Sequence, residues 1–267
     1  MTPDLAVNLI NATVQIEQPA AAGLRTVGTG FLVNAPAPDG SPRTVLVTAA
    51  HVFTNMPKPE VKIGYRVIDA EGAWKYAPQP LVIRAGELPL YSRHPERDIV
   101  VMTVTVPPAF AKAAIPVAWL ATTETFAEAD LGPGDEMFAL GYPRGLSANK
   151  AGFPILRSGR VASYPLGPAT RYPTFLLDFA VFAGNSGGPV FIAEGGRRRP
   201  RDGAPPPTQF IAGVLTQQVE LRSDRLEIGI VTHAAYVREA IALLDAAATA
   251  PAVAATAAPG VDAVSQP

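Results

Sequence analysis

Residues 179 to 190 read Phe-Ala-Val-Phe-Ala-Gly-Asn-Ser-Gly-Gly-Pro-Val, which sets one serine, Ser186, among glycines and between two apolar runs of strand type. Glycines allow backbone conformations that a Cβ would forbid. A tight turn in this stretch can therefore present a hydroxyl and several nearby amide groups at one surface. Acyl transfer needs this geometry, because the nucleophile and the donors for the developing oxyanion must face the same carbonyl group.

A histidine and a carboxylate are also needed, because a serine hydroxyl becomes a good nucleophile only when a positioned base takes its proton. His51 ends the apolar run 44–51, which has the character of a strand that stops at a polar residue. Asp98 opens a second apolar run, 98–104, and so stands at another strand edge. The order His, Asp, Ser is therefore complete along the chain.

Together these motifs resemble those of the chymotrypsin-type serine peptidases and, within them, the bacterial high-temperature-requirement (Deg-type) branch. The resemblance extends from about Asn11 to about Leu244. It is carried by seven segments: 28–33 (Gly-Thr-Gly-Phe-Leu-Val), 48–51 (Thr-Ala-Ala-His), 97–100 (Arg-Asp-Ile-Val), 115–120, 134–146, 157–163 and 184–189 (Gly-Asn-Ser-Gly-Gly-Pro). It implies an all-β fold of two antiparallel six-stranded β-barrels of the chymotrypsin type with a C-terminal helix.

The spacing of strands agrees with such a fold. Apolar runs of strand length recur between turn residues without intervening helices, which is typical of antiparallel sheets. The first barrel is predicted at about 11–106 with His51 and Asp98, and the second at about 134–232 with Ser186. Because the predicted base and nucleophile come from different halves, we expect the site in the cleft between the barrels.

The end of the chain changes character twice. From Ala234 the apolar residues follow a helical period, which predicts a helix over about 234–246. This helix completes a predicted peptidase domain of residues 1–246. Residues 247–267 are rich in alanine and proline with almost no large side chains, so burial cannot offset their ordering entropy and a disordered tail is predicted. We expect no PDZ modules, which are usual in the resembled branch, because no second globular region is predicted after it.

Composition argues against several classes of function. Lys and Arg total 22 against 23 Asp and Glu, so we expect no long-range attraction to nucleic acid or to an anionic membrane. No apolar run approaches the length of a membrane span. The chain has no cysteine, which rules out disulfides, thiolate metal sites and a cysteine nucleophile. We expect neither a metal nor a cofactor.

The resemblance implies chemical roles for particular residues. Ser186 would be the nucleophile, His51 the general base, and Asp98 the carboxylate that holds the imidazole in the correct tautomer. The backbone amides of Gly184 and Ser186 would form the oxyanion hole.

Substrate binding is expected at Ala180, Thr216 and Gln218. Ala180 stands where the family sets the floor of the primary specificity pocket, and without a carboxylate there a small or medium apolar side chain should fit better than Lys or Arg. Thr216 stands where the family has a small hydroxyl residue near the aspartate, although a core threonine fits nearly as well. Asn185 replaces the aspartate that pairs with a newly cleaved N-terminus in zymogen-activated members, so activity without N-terminal processing is expected.

The expected partner is a polypeptide substrate, with a regulatory partner or a homo-oligomer as further alternatives. The first basic residue is Arg25, so the start lacks the charged region of a secretory signal. We therefore expect a cytoplasmic protein, or a periplasmic or secreted one if a leader has been removed. Four arginines in the insertion 195–207 would suit an acidic or nucleic-acid partner, but a solvated loop is favoured because the patch is short and lacks aromatic residues.

Two other functions fit parts of the sequence. Residues 184–188 also satisfy the Gly-x-Ser-x-Gly elbow of α/β-hydrolase esterases, which continues into a helix and is followed by an acid and a histidine. Here Gly-Gly-Pro follows, and His233 is the only later histidine. A latent or non-catalytic protein of the peptidase fold that binds polypeptides is the second alternative. The intact His-Asp-Ser set favours a serine endopeptidase that acts through an acyl-enzyme on Ser186.

Overall fold

The computed structural model of the chain describes residues 4–193, 209–221 and 224–249. Its two halves consist mostly of β-strands and are followed by a helix, which confirms the expected fold class. The predicted loop 195–207 and the tail beyond residue 249 lie outside the described residues. No helix within the described ranges is both long and apolar enough to cross a membrane.

The first half is an eight-stranded sheet, in which seven strands are antiparallel to their neighbours and one is added in parallel. Its strands follow the order β5-β4-β1-β2-β3-β9-β8, with β10 parallel to β2, while β6 and β7 pair only with each other. The sheet has more strands than the six expected, and its ends, β5 and β8, are not paired with one another. The strands are β1 (Thr13–Pro19), β2 (Arg25–Asn34), β3 (Thr44–Thr48), β4 (Glu60–Ile68), β5 (Trp74–Val82), β6 (Arg84–Ala85), β7 (Leu88–Pro89), β8 (Ser92–Arg93), β9 (Val100–Thr103) and β10 (Ile115–Pro116).

The second half is a closed barrel of six antiparallel strands. The order around the barrel is β11-β12-β13-β16-β15-β14, and β11 closes the ring by pairing with both β12 and β14. Every strand therefore has two neighbours, which leaves no open edge. The strands are β11 (Glu136–Gly141), β12 (Ile155–Val161), β13 (Thr174–Asp178), β14 (Pro189–Ala193), β15 (Gln209–Leu221) and β16 (Asp224–His233).

In the middle of the first sheet, at β2 and β3, both faces are buried. Successive side chains of a strand point to opposite faces, so neighbouring residues enter different cores. Leu32 and Leu46 lie in a core formed within the first half. Their neighbours Phe31 and Val47 lie in a larger core shared with the second barrel and the C-terminal helix. This packing holds the two halves together and sets the geometry of the cleft between them.

The sequence pattern predicted no helix before the first strand. Helix α1 (Leu5–Ala12) nevertheless lies there. The carboxylate of Asp4 caps it by accepting hydrogen bonds from the N–H groups of Ala6 (3.0 Å) and Val7 (3.4 Å). Leu5 and Leu9 are buried on one face. The cap and this pair of leucines were the available signal, but eight residues are too few for a clear helical period.

The remaining helices are α2 (Ala50–Thr54), α3 (Pro108–Ala111), α4 (Thr125–Glu128) and α5 (Ala235–Thr249), with single 3₁₀ turns at Ala21–Gly23, Val117–Trp119 and Pro143–Gly145. Helix α5 buries Val237, Ala240 and Ile241 against the shared core. It lies at the position predicted for the terminal helix and continues three residues past the predicted end, into the first residues of the segment predicted as a tail.

Candidate active site

His51 and Asp98 are joined by two hydrogen bonds. His51 lies in the first turn of α2, just after β3, and Asp98 lies two residues before β9, which pairs with β3. His51 Nδ1 is 2.6 Å from Asp98 Oδ2, and the His51 backbone N–H donates to Asp98 Oδ1 at 2.9 Å. An ionised carboxylate can only accept, so Nδ1 carries the proton, and in the neutral imidazole Nε2 then keeps a free lone pair. The arrangement provides an oriented base.

The turn before Ser186 requires glycine at residue 184. Gly184 has φ +97°, and a Cβ placed there would lie 2.3 Å from the carbonyl oxygen of Tyr142. The carbonyl oxygen of Ala183 accepts a hydrogen bond of 2.6 Å from the Arg144 N–H. In a trans peptide group the C=O and the N–H point in opposite directions. The Gly184 N–H is therefore directed away from Arg144.

The peptide group before Ser186 is held in a similar way. The carbonyl oxygen of Asn185 accepts a hydrogen bond of 3.1 Å from the Gly188 N–H, so the Ser186 N–H points away from that bond. Neither the Gly184 N–H nor the Ser186 N–H donates to another described residue. Two amide groups on either side of Asn185 thus remain available to a developing oxyanion.

Thr29 ties the turn at residues 183–186 to the first half, a role that the sequence pattern did not predict. Its hydroxyl donates to the Gly184 carbonyl at 2.6 Å and accepts from the Tyr142 N–H at 3.1 Å. Its backbone N–H donates to the Ser186 carbonyl at 2.8 Å, and its own carbonyl accepts from the Thr48 hydroxyl at 2.6 Å. The available signal was a threonine, now fully buried, within an apolar strand between two glycines.

The hydroxyl of Ser186 is turned towards the second barrel. Its Oγ donates to the carbonyl oxygen of Thr216 at 3.4 Å, which is long for a hydroxyl hydrogen bond. It forms no hydrogen bond with His51. Bonds between a nucleophile and its base are often loose in structures without substrate, so this rotamer is compatible with proton transfer after a rotation of the side chain.

His51 and Ser186 line the same cavity, which measures about 780 Å³ and opens to solvent. None of the described residues that line it carries a carboxylate, and Arg25 is the Lys or Arg residue among them. Arg25 is itself paired with Glu17 at 2.7 Å. The lining residues are Arg25, Thr26, Val27, His51, Val52, Asn55, Val181, Phe182, Ala183, Gly184, Ser186, Thr216 and Gln217.

The residues expected to bind substrate occupy different positions. Thr216 lines the cavity, but its hydroxyl is bonded within the second barrel, to the carbonyl of Ile230 (3.2 Å) and to the hydroxyl of Thr232 (3.3 Å). Ala180 is half-buried between β13 and the turn at residues 183–186 and does not line the cavity. Gln218 belongs to β15, where its backbone is paired with that of Gly229.

His233, the histidine required by the esterase alternative, is buried in the second half. Its ring lies 4.5 Å from the ring of Phe126 and 5.1 Å from that of Phe175, and it does not line the cavity. Burial lowers the pKa of His233 to about 4. His94 is also buried and bonds to Glu239 at 3.1 Å. Within the described ranges, no group of three metal-binding side chains is present.

Two solved structures share this fold. The active form of the Rv3671c protease from M. tuberculosis is 19% identical, with a TM-score of 0.52 over 89% of this chain and 82% of that chain. The HtrA-type protease AlgW, solved with a decapeptide, is 15% identical, with a TM-score of 0.52 over 91% of this chain and 66% of that chain. No curated protein matches the sequence.

The sequence itself identifies the family. Residues 28–197 match the protein family described as "Trypsin-like peptidase domain", and this range includes His51, Asp98 and Ser186. The match spans more than half of the chain. The chain therefore belongs to the family of trypsin-like peptidase domains, which makes it a serine endopeptidase.

Proposed function

We propose that Ser186 is the nucleophile of this endopeptidase, with His51 as its general base and Asp98 as the carboxylate that orients the imidazole. The observation that carries this proposal is the position of the Asp98-bound imidazole and the Ser186 hydroxyl on one cavity. The backbone N–H groups of Gly184 and Ser186, which have no acceptor among the described residues, would add the electrostatic part of the site.

The reaction begins when the Ser186 side chain turns from the Thr216 carbonyl towards Nε2 of His51. Oγ attacks the scissile carbonyl carbon while Nε2 takes the hydroxyl proton, and Asp98 stabilises the imidazolium that forms. The negative charge on the substrate oxygen is held by the N–H groups of Gly184 and Ser186, each contributing about 3 kcal/mol. Nε2 then protonates the leaving amine as the C–N bond breaks. A water molecule hydrolyses the acyl-enzyme by the reverse series of proton transfers.

A small or medium apolar side chain is the proposed preference at the residue before the cleaved bond. None of the described residues that line the cavity carries a carboxylate that could pair with Lys or Arg. Beside it, the space in front of Gly229 is already filled by Phe179, Val181 and Leu215, because a Cβ on Gly229 would lie only 2.9–3.1 Å from their side chains. These side chains are apolar, and Val181 also lines the cavity. AlgW was solved with a decapeptide, which supports a polypeptide substrate for this chain as well.

Labelling by a fluorophosphonate tests the assignment, because this probe reacts only with an activated serine. We expect wild type to be labelled, with loss of labelling in Ser186→Ala and His51→Ala and a decrease of about 10⁴-fold in Asp98→Asn. Ser158→Ala, at an exposed serine of β12, and His233→Gln are matched controls that keep labelling.

The outcomes separate the alternatives. Labelling that persists in Ser186→Ala would overturn the nucleophile assignment, and loss in His233→Gln with retention in His51→Ala would favour the esterase order. Wild type that is not labelled at all would indicate a latent or purely binding protein. Cleavage of a peptide library then tests specificity, and efficient cleavage after Lys or Arg would contradict the proposed apolar preference.

A further inference from the structure

Arg66, in β4, is a buried cation without a carboxylate partner. Its residue is 1% exposed, and it forms no ion pair with any described acidic residue. Burial lowers the pKa of its guanidinium from the ordinary value. Another well-buried arginine, Arg43, does pair with a carboxylate, that of Asp245 at 2.5 Å. Burying a charge is costly unless the charged group is hydrogen-bonded. The hydrogen bonds of Arg66 to uncharged groups must therefore stabilise its guanidinium in place of a carboxylate.

Those bonds join three separate parts of the chain. Nη2 donates to the carbonyl oxygens of Ile10 (3.2 Å) and Asn11 (2.7 Å), which belong to the last turn of α1. This end of a helix carries partial negative charge and so favours a cation. Nη1 donates to the phenol oxygen of Tyr142 (3.0 Å) and to the carbonyl oxygen of Gly152 (3.2 Å). One guanidinium thus fastens α1 and the segment after β11 to β4.

Hydrogen bonds from the turn Tyr142–Arg144 hold both peptide groups that flank Gly184. Its backbone N–H donates to the Thr29 hydroxyl (3.1 Å), which donates to the Gly184 carbonyl (2.6 Å). Two residues after Tyr142, the Arg144 N–H donates to the Ala183 carbonyl at 2.6 Å. A shift of Tyr142 would therefore loosen the bonds on both sides of Gly184.

The same turn has further anchors in the first half. The carbonyl oxygen of Gly145 accepts from Gln15 Nε2 and from Arg25 Nη2, both at 3.1 Å. Unlike Gln15 and Arg25, Arg66 also donates to the last turn of α1 and bonds to the side chain of Tyr142. It connects a helix at the start of the chain to the amide that would receive the oxyanion.

We propose that Arg66 is a positioning residue, which couples the N-terminal helix α1 to the orientation of the Gly184 N–H through Tyr142. This inference rests on the proposed function, in which that N–H stabilises the oxyanion. It makes α1 part of the support of the active site. It also accounts for a buried cation that no carboxylate neutralises, since the helix carbonyls and the phenol oxygen take that place.

The test compares Arg66→Met, Arg66→Lys and Tyr142→Phe with the control Arg43→Met, which removes a buried arginine that bonds to Asp245 and to the Ala35 carbonyl. With a quenched peptide substrate, we expect Arg66→Met to lower kcat at least tenfold and to keep KM within twofold of the wild-type value. The reason is that the oxyanion hole stabilises only the transition state. Arg66→Lys should recover part of kcat. Arg43→Met should lose stability but keep kcat. All assays run at a temperature where each variant is folded by circular dichroism.

A second readout does not depend on activity. The ¹⁵N–¹H resonance of Gly184 should shift or broaden in Arg66→Met and in Tyr142→Phe, and should stay unchanged in Arg43→Met. If Arg66→Met fails to fold, Tyr142→Phe, which removes a single hydroxyl, still decides the question. An unchanged Gly184 resonance, or an equal change in Arg43→Met, overturns the inference. Wild type without Ser186-dependent labelling would overturn the proposed function instead, and the resonance would still report on the coupling.

Discussion

We predict that Gly184→Ala disables this enzyme, and that most of the effect arises from one contact. A Cβ on Gly184 would lie 2.3 Å from the Tyr142 carbonyl oxygen, whereas ordinary contacts begin near 3.4 Å. The two groups must therefore separate by about 1 Å, since neither is a flexible side-chain end. The Gly184 N–H moves with its backbone. Loss of one oxyanion donor of this kind lowers kcat by about 10²–10³.

Gly134→Ala provides a matched control. Gly134 has φ +95°, close to the +97° of Gly184, but a Cβ there would meet nothing within 4 Å. Backbone strain alone should therefore cost Gly134→Ala about 1–2 kcal/mol of unfolding free energy. The additional overpacking raises the expected loss for Gly184→Ala to about 2–5 kcal/mol. Only Gly184→Ala should affect catalysis.

Three measurements check this comparison. Urea unfolding gives the two losses of stability, fluorophosphonate labelling gives the reactivity of Ser186, and a peptide substrate gives kcat and KM. Conditions are chosen in which both variants are folded. The reasoning fails if Gly184→Ala is labelled at the wild-type rate, or if Gly134→Ala loses kcat to the same extent.

Two other residues give further predictions. Thr29→Val removes the hydroxyl between the Tyr142 N–H and the Gly184 carbonyl, so this variant should lose about 2–5 kcal/mol of unfolding free energy and much of kcat. Thr29→Ser keeps a hydroxyl and should recover most of both. Equal kcat values for the two variants would contradict this prediction. Burial keeps the pKa of His233 at about 4, against 6.5 when exposed, so between these values the unfolded state binds more protons and stability falls as pH falls. Between about pH 7.5 and about pH 5, the unfolding free energy of wild type, measured in urea, should fall by about 2 kcal/mol more than that of His233→Gln. Parallel pH profiles of stability for the two proteins would contradict the lowered pKa of His233.

Local sequence pattern predicted most of the regular structure. Apolar runs between turn residues predicted an antiparallel β protein, and the helical period near the end predicted α5 (Ala235–Thr249). These features depend on preferences that act within a few residues. Helix α1 was missed because eight residues carry too little periodicity, and its stability depends on packing Leu5 and Leu9 against distant strands.

The supports of the candidate site were not predictable in this way. Thr29 and Gly184 are 155 positions apart in the chain, and Arg66 and Tyr142 are 76 apart. A threonine or an arginine inside a strand pattern carries no local sign of which backbone group it will bond. These bonds exist only after the two halves have packed together.

The fold class, the family and the glycine-rich turn could be predicted from the chain alone, because strand periodicity and the left-handed backbone at Gly184 depend on a few neighbouring residues. Long-range packing set three further features: the first half is an eight-stranded open sheet, the Ser186 hydroxyl faces the Thr216 carbonyl, and the N–H groups of Gly184 and Ser186 have no acceptor among the described residues. Each of these depends on hydrogen bonds between segments far apart in the chain, which form only when packing has fixed their distance and direction.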